Sequence, residues 1–272
     1  MNNRDMNKAR ANQLLQTLRV GFYKVGNNTV MVPTYYPADY YSDIKIREAG
    51  KMSESHKPIN TQNIEVCNIS TVDAVIKEFR RLQDLDKEDD KIGVLNFASA
   101  KHPGGGFVTG AMAQEEALCH ASTLYNQIKD SKMYTYNQAM CSSTLYNDSM
   151  NVCNSYFIKN GRGDFVFPVP ATVVTSAAVN RRGLKSFEHK FVEYTMKRRM
   201  EEVMQMFIRY RCKILVLGAF GCGVFGNDPK FVAETWRDLL IRYGGYFDKV
   251  VFAVLDNKGD NIKAFKDTFY YS

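Results

Sequence analysis

Three consecutive glycines and a nearby pair of carboxylates are the residues of this chain that are best suited to chemistry. Residues 104–106 are all glycine, and after a seven-residue spacer residues 114–116 read Gln-Glu-Glu. Because glycine loses more backbone freedom on folding than any other residue, three in a row are typical of a point where a ligand or another backbone comes very close. Glu115 and Glu116 would face that ligand, so one carboxylate could transfer a proton while the other orients.

The two carboxylates cannot do identical work, because adjacent residues of a helix point about 100° apart. A solvated helix start is the alternative, since negative charge near a helix N-terminus complements the helix dipole. The same dipole stabilises ionised carboxylates, whereas a general acid must hold a proton near neutral pH. A catalytic role therefore requires that burial, repulsion between the carboxylates and exclusion of water by a ligand together outweigh the dipole.

A second glycine-rich loop follows another predicted strand. Residues 218–226 read Gly-Ala-Phe-Gly-Cys-Gly-Val-Phe-Gly, and both this loop and residues 104–110 lie between a strand and a helix. Both loops are expected at the carboxyl edge of the sheet, where open α/β folds bind ligands and bare amides can cradle phosphate. Neither loop matches the Walker or the dinucleotide pattern, so each by itself is equally well a tight turn.

The elements that must position these loops alternate between strand and helix along most of the chain. An alternating strand is predicted at residues 64–69, buried strands at residues 92–98, 171–176 and 213–217, and a last strand at residues 250–255. Helices are predicted at residues 72–85, 111–128, 189–211, 230–243 and 261–269. Ser70 with Asp73 and Asp228 with Pro229 have the residue types of helix starts. This alternation favours a three-layer α/β fold.

Other segments carry less pattern. Apolar residues at helical spacing in residues 1–20 predict an N-terminal helix that packs against the core, and residues 28–36 read as a strand followed by a Pro/Tyr-rich turn. Residues 44–61 are expected to form a loop, and residues 129–167 are expected to cover the site from one side. The run Lys-Arg-Arg at 197–199 has glutamates four residues away, so a solvated helix face is predicted rather than a nucleic-acid patch.

Composition sets the class of protein. The 272 residues, 45% of them hydrophobic, are enough for one large domain at 1–272, divided into an N-terminal extension at 1–62 and a core at 63–272. A net charge of +7 suits an anionic ligand but is too mild to indicate nucleic-acid binding. The chain has no apolar run of about eighteen residues and no signal peptide, so an intracellular protein is expected, cytoplasmic or, in a eukaryote, nuclear.

Cysteine and histidine do not indicate a metal centre. The six cysteines are scattered without a Cys-x-x-Cys pair, which predicts buried free thiols rather than disulfides or metal ligands. His102 and His120 flank the glycine and carboxylate motif, and no third ligand accompanies them. Neither a metal nor another cofactor is therefore expected.

The motif at residues 104–116 resembles the signature of poly(ADP-ribose) glycohydrolases, specifically the shorter microbial type. The resemblance runs in the same order over nearly the whole chain, through residues 94–100, 118–125, 217–226 and 253–256. It implies a macrodomain-like α/β fold, with a mixed central sheet flanked by helices and an N-terminal helical extension. It also implies hydrolysis of the ribose–ribose O-glycosidic bonds of poly(ADP-ribose). One departure is Thr-Ser-Ala-Ala-Val-Asn at 175–180, where microbial relatives tend to carry a Pro-containing turn.

The resemblance implies a role for each motif residue. Glu116 would be the general acid/base of an oxocarbenium-like transition state, and Glu115 would hold the terminal ribose. The remaining candidates for substrate binding are Gly104, Gly105, Gly106, Gln114, Asn96, Gly221, Cys222, Gly223, Val224 and Phe225. For three of these an ordinary role is the alternative, because Asn96 could bond local backbone, Phe225 could belong to the core, and Gln114 could support the loop.

The expected partners are poly(ADP-ribose), ADP-ribose and ADP-ribosylated proteins, without a membrane or direct nucleic-acid binding. Some tyrosine of residues 129–156 could contact adenine or ribose, but the sequence does not single one out. The two glycine loops are also compatible with two other functions. One is a macrodomain that binds ADP-ribose without hydrolysing it, and the other is a hydrolase of mono-ADP-ribose linkages.

Overall fold

The computed structural model describes residues 2–55 and 57–271, so Met1, His56 and Ser272, which the predicted domain and loop include, lie outside the described residues. The helices of the described part are α1 Asn3–Val20, α2 Asp43–Glu48, α3 Thr71–Asp84, α4 Gln114–Ala121, α5 Leu124–Ile128, α6 Lys132–Met140, α7 Val192–Arg209, α8 Pro229–Tyr243 and α9 Asp260–Tyr270. The strands are β1 Phe22–Val25, β2 Asn28–Met31, β3 Asp39–Tyr41, β4 Ile64–Cys67, β5 Lys91–Phe97, β6 Met150–Lys159, β7 Phe165–Ser176, β8 Cys212–Leu217 and β9 Lys249–Ala253.

The central sheet has seven strands in the order β3-β6-β7-β5-β8-β9-β4. Strands β7, β5, β8, β9 and β4 are parallel to one another, whereas β6 runs antiparallel to β7 and β3 antiparallel to β6. Strands β1 and β2 form a separate hairpin. The predicted class, a mixed central sheet flanked by helices, is confirmed.

Both faces of the sheet are covered by apolar residues. Neighbouring strand residues point to opposite faces, so Leu95 and Val174 join one buried cluster with Phe207 and Trp236, while Val94 joins the other. This double burial explains why the central parallel strands β5, β8 and β9 read as mostly apolar runs instead of alternating. These strands could be predicted from the sequence because burial on both faces requires apolar side chains at nearly every position.

Helix α1 packs on the second apolar cluster through Ala11, Leu14 and Leu18, as predicted for the N-terminal extension. It ends at Gly21, whose φ of 85° is left-handed and whose N–H donates to the Thr17 carbonyl at 2.9 Å. Strand β3 also belongs to the extension but pairs with β6 of the core. The division at residue 62 stays a prediction.

The predicted helix at residues 111–128 is wrong as one continuous element. Helices α4 and α5 are separated at Ser122, which is extended and forms an isolated bridge with Phe157 of β6. The Thr123 N–H then donates to the Tyr156 carbonyl at 3.1 Å. A pairing with a distant strand therefore breaks a segment that local propensity favours as helix.

Residues 129–167 contain helix α6, the ten residues of strand β6 and the start of β7, none of which the sequence predicted. Strand β6 hides its period because polar residues such as Asn151 and Ser155 are fully buried within it. Helix α2 likewise occupies part of the predicted loop at 44–61. The predicted helix starts hold, since the Ser70 side chain accepts from the Asp73 N–H at 3.0 Å.

The basic run on α7 is only partly a solvated face. Lys197 is exposed, but Arg199 is fully buried and pairs with Asp148 at 2.8 Å, while Arg198 pairs with the same carboxylate at 2.7 Å. Arg199 also donates to the Ala177 carbonyl at 2.6 Å. The prediction is therefore wrong for Arg199, because a carboxylate distant in the sequence neutralises it inside the protein.

The six cysteines are free thiols in the structure, and four of them are buried as predicted, whereas Cys67 and Cys222 are partly exposed. Burial raises the pKa of the Cys153 and Cys212 thiols to about 12, so both are held in the inert protonated form. No helix among residues 2–55 and 57–271 combines the length and the apolar character that crossing a membrane requires.

Candidate active site

A cavity of about 940 Å³ opens where β5, β8 and β9 end, and both glycine-rich loops border it. Gly105, Glu115 and Glu116 lie on one wall, and Gly221 and Phe225 lie on another. The carboxyl ends of neighbouring parallel strands meet at one edge of a sheet, which brings the two loops together although more than a hundred residues separate them.

The glycine triplet allows the backbone to approach both carboxylates closely. Gly105 has a left-handed φ of 58°, and a Cβ added there would collide with Glu116 Oε1 and stand 3.2 Å from Glu115 Oε2. The Gly106 N–H donates to Glu116 Oε1 at 2.8 Å, and a backbone hydrogen bond joins Gly104 to Glu115. The Gly105 N–H donates to the His102 carbonyl at 2.9 Å. These amides hold the protein's own groups, and the predicted part of Gly104, Gly105 and Gly106 in substrate binding stays a prediction.

Glu115 is 3% exposed and is held from several directions. Its Oε2 accepts from the Ser99 N–H at 2.7 Å, and its Oε1 accepts from Asn96 Nδ2 at 3.3 Å. Burial raises the pKa of Glu115 to about 8, and the charge of Glu116 acts in the same direction, against the opposing effect of the hydrogen bonds from Ser99 and Asn96. Burial and the neighbouring carboxylate therefore favour the protonated form of Glu115.

Glu116 is 7% exposed and forms a hydrogen bond through each of its oxygens. Besides the bond from Gly106 to Oε1, its Oε2 accepts from the Ala113 N–H at 3.0 Å. The side chain thereby reaches back across the first turn of α4 to the residue that precedes the helix. Its carboxylate is positioned before any ligand arrives.

Asn96 and Gln114 lie behind the two glutamates. Asn96 is fully buried, donates to Glu115 and to Thr175 Oγ1 at 3.2 Å, and does not border the cavity. Asn96 thus helps to hold Glu115, and the predicted ribose contact stays a prediction. Gln114 accepts from the Phe97 N–H at 2.9 Å and donates to the Leu95 carbonyl at 2.8 Å. It ties the start of α4 to the end of β5, in agreement with a supporting role.

The second glycine loop is braced against the segment at 175–180. Gly221 has a φ of 75°, and a Cβ there would collide with Ala178 and with Asn227. Asn227 Nδ2 donates to the Val179 carbonyl at 2.8 Å and to the Gly221 carbonyl at 3.2 Å. Asn227 therefore ties the second glycine loop to the segment at 175–180.

The other predicted residues of this loop differ in exposure. Gly223 and Val224 are exposed on the cavity wall, and Phe225 both borders the cavity and packs on the apolar core. The contact of Phe225 with a ligand stays a prediction. Cys222 is not on the wall. Its side chain packs on the core, and burial raises the pKa of its thiol to about 12, while its part in substrate binding stays a prediction.

The sequence missed one whole side of the cavity. Arg10 and Gln13 of α1, Lys159 of β6 and the turn at residues 160–164 border it, whereas no tyrosine of residues 129–156 does. The turn reads Asn-Gly-Arg-Gly-Asp, and its glycines and asparagine are a recognisable hairpin signal. That signal could have located the hairpin, although not its position over the site.

The two histidines near the motif have unlike surroundings. His102 is exposed, while His120 packs edge-on against Phe107 with ring centroids 4.8 Å apart. Among the described residues, no three or more His, Cys, Asp or Glu side chains are arranged to hold a metal ion.

The comparisons with known proteins identify one family. The family model for the catalytic domain of microbial-type poly(ADP-ribose) glycohydrolase (PARG) matches residues 11–152. A comparison with curated proteins found no match. The chain belongs to the microbial-type PARG family.

Solved structures are similar over most of the chain. Poly(ADP-ribose) glycohydrolase from Thermomonospora curvata, bound to the inhibitor ADP-HPD, is 30% identical with a TM-score of 0.82, over 96% of this chain and 98% of that one. The enzyme from Deinococcus radiodurans in complex with ADP-ribose is 32% identical with a TM-score of 0.74, over 86% of this chain and 94% of that one.

Proposed function

We propose that this chain hydrolyses the ribose–ribose O-glycosidic bonds of poly(ADP-ribose) and releases ADP-ribose. The observation that carries the proposal is the buried pair Glu115 and Glu116, held by the backbone of a glycine triplet on the wall of the cavity. Membership of the PARG family and the ligands of its solved relatives support it. The proposed partners are poly(ADP-ribose), ADP-ribose and the proteins that carry them.

Glu116 is the proposed general acid and base. Its proton passes to the 2′-oxygen of the leaving ribose as the bond between that oxygen and the anomeric carbon breaks, and the bonding electrons leave with the oxygen. The anomeric carbon becomes oxocarbenium-like. Water then attacks this carbon while Glu116 takes the water proton, which restores the acid for the next turnover.

Glu115 has a proposed supporting role in this reaction. Because its raised pKa favours the protonated form, Glu115 can donate a hydrogen bond to a ribose hydroxyl. The substrate excludes water from the cavity and brings its diphosphate close to the bond that breaks. The diphosphate also stabilises the positive character of the transition state.

The raised pKa of Glu115 supports a second assignment, in which Glu115 itself is the acid. Substitution of each glutamate by glutamine separates the two. If Glu116 is the acid, Glu116→Gln lowers kcat about 10²–10⁴-fold, the usual contribution of a positioned acid or base. Glu115→Gln, which keeps a hydrogen-bond donor, then mainly raises KM. The reverse pattern would assign the acid to Glu115.

The deciding experiment incubates the protein with purified poly(ADP-ribose) and measures the ADP-ribose released. Glu116→Gln should leave the Kd for ADP-ribose, measured by calorimetry, within a few-fold of wild type, because the change is nearly isosteric. Glu193→Gln, at an exposed position of α7, is the charge-matched control. If the wild type binds ADP-ribose tightly but releases none from poly(ADP-ribose), the protein is a macrodomain that binds ADP-ribose without hydrolysing the polymer, or a hydrolase of another linkage.

A further inference from the structure

Lys159 is a buried cation without a carboxylate partner. Its side chain borders the cavity, yet the residue is only 3% exposed. Its Nζ donates to Gln13 Oε1 at 2.8 Å and stands 4.5 Å from the centre of the Phe165 ring. Burial of an ammonium group is unfavourable unless a negative charge compensates it, and no carboxylate of the described residues forms an ion pair with Lys159.

Arg10 and His120 border the same part of the cavity as Lys159, next to the hairpin at residues 159–164, and we call this part the arm. Arg10 lies on the exposed surface of α1 and forms no ion pair with the described residues. Both ring nitrogens of His120 are buried and have no hydrogen-bond partner among them. Burial, followed by the charges of Lys159 and Arg10, lowers the pKa of His120 to about 4, so its imidazole is neutral and offers one N–H donor.

The carboxylates of the cavity wall are engaged elsewhere. Asp164 pairs with Arg162 at 3.5 Å. Glu116 precedes His120 by one turn of α4, but backbone amides hold both of its oxygens, and Glu115 is likewise bonded. In the arm, no carboxylate therefore compensates the positive charges of Lys159 and Arg10, and the ring nitrogens of His120 beside them have no hydrogen-bond partner among the described residues.

We propose that Lys159, Arg10 and His120 form a subsite for a phosphate group in the arm of the cavity bordered by the 159–164 hairpin. A phosphate carries the negative charge that the arm lacks and accepts hydrogen bonds from ammonium, guanidinium and imidazole groups. The phosphate has two possible sources, the diphosphate of a poly(ADP-ribose) unit or free phosphate. Only the first source rests on the proposed function.

NMR of the histidine side chains tests the subsite directly, because the chain has only four histidines. His120→Asn identifies the His120 signal. Inorganic sulfate serves as the probe, since it mimics phosphate and keeps a constant charge, and chloride at equal ionic strength is the control. Sulfate should move the His120 signal in a saturable way and raise its pKa by about one unit, the effect of a nearby opposite charge. A His120 signal that responds to chloride and sulfate alike would overturn the proposal.

A lysine variant and a matched control complete the test. Lys159→Met removes the charge but keeps the length of the side chain, so it should weaken sulfate binding at least tenfold and raise the pKa of His120 even without sulfate. Lys213→Met makes the same change of net charge at an exposed position near the start of β8, at the other edge of the sheet, and should bind as wild type does. Undiminished sulfate binding in Lys159→Met would refute the subsite.

Repetition of the titration with saturating ADP-ribose identifies the source of the phosphate. If sulfate still moves the His120 signal, the subsite takes a free phosphate or one from a second unit of the polymer. If ADP-ribose alone moves the signal and blocks sulfate, a phosphate of the bound ADP-ribose occupies the subsite. These readouts need no hydrolysis, so they stand or fall independently of the proposed enzymatic activity.

Discussion

Replacement of Gly105 by alanine tests whether this glycine is required for the position of Glu116. A new Cβ would collide with Glu116 Oε1 and stand 3.1 Å from its Cδ, so the carboxylate must move. The movement breaks the 2.8 Å hydrogen bond from the Gly106 N–H. Because a displacement of about 1 Å in a catalytic group can cost about 10²-fold in rate, kcat should fall by about that factor.

The same substitution also has a cost that is unrelated to catalysis. A residue with a side chain loses about 1–2 kcal/mol in the left-handed conformation, which Gly105 adopts at a φ of 58°. Gly26 has the same φ, but nothing lies within 4 Å of a Cβ added there. Gly26→Ala is therefore a matched control that carries the backbone penalty without the collision.

Thermal unfolding and release of ADP-ribose should be measured for both variants. The melting temperature should fall in each, by roughly 2–4 °C per kcal/mol. Only Gly105→Ala should lose activity. If the kcat of Gly105→Ala stayed within about threefold of that of Gly26→Ala, the inference that this glycine positions Glu116 would be refuted.

Two further predictions concern stability. The folded-state pKa of Glu115 is raised to about 8 from about 4.5, so its stabilising effect is complete below the lower value and is lost as the pH rises to the upper one. The melting temperature of Glu115→Gln relative to wild type should therefore increase across this range, and a difference that does not change with pH would contradict the assignment. Asp148→Asn should lower the free energy of unfolding by about 3 kcal/mol or more, because it leaves the buried Arg199 without its full ion pair. The double variant Asp148→Asn, Arg199→Met should regain part of the lost free energy of unfolding in urea. A double variant that is no more stable than Asp148→Asn would argue against the ion pair.

Local patterns were sufficient for most elements that the apolar core covers. The parallel strands are short apolar runs, and helix starts such as Ser70 and Asp228 depend on a hydrogen bond to a residue two or three positions away. The motif at 104–116 is equally local, because its glycines and glutamates interact across about one loop and one helical turn. Such interactions can be predicted from spacing alone.

Other features depend on contacts between distant parts of the chain. The pairing of Ser122 with Phe157 interrupts a helix that every local preference favours. Strand β6 went unrecognised because hydrogen bonds within the fold satisfy its buried polar residues, so that its hydrophobic period disappears. Arg199 reads as a surface residue until Asp148, 51 positions away, is placed beside it.

The sequence by itself determined the α/β class, the two glycine loops at one sheet edge and the presence of a carboxylate pair between a glycine triplet and a helix. Only the tertiary structure decided which groups hold those carboxylates, that Asn96 lies behind Glu115, and that Lys159 meets Gln13 across 146 positions. The physical reason is that spacing specifies neighbours within a turn or a strand. Burial, charge compensation and hydrogen-bond partners depend on which distant segments the core brings together.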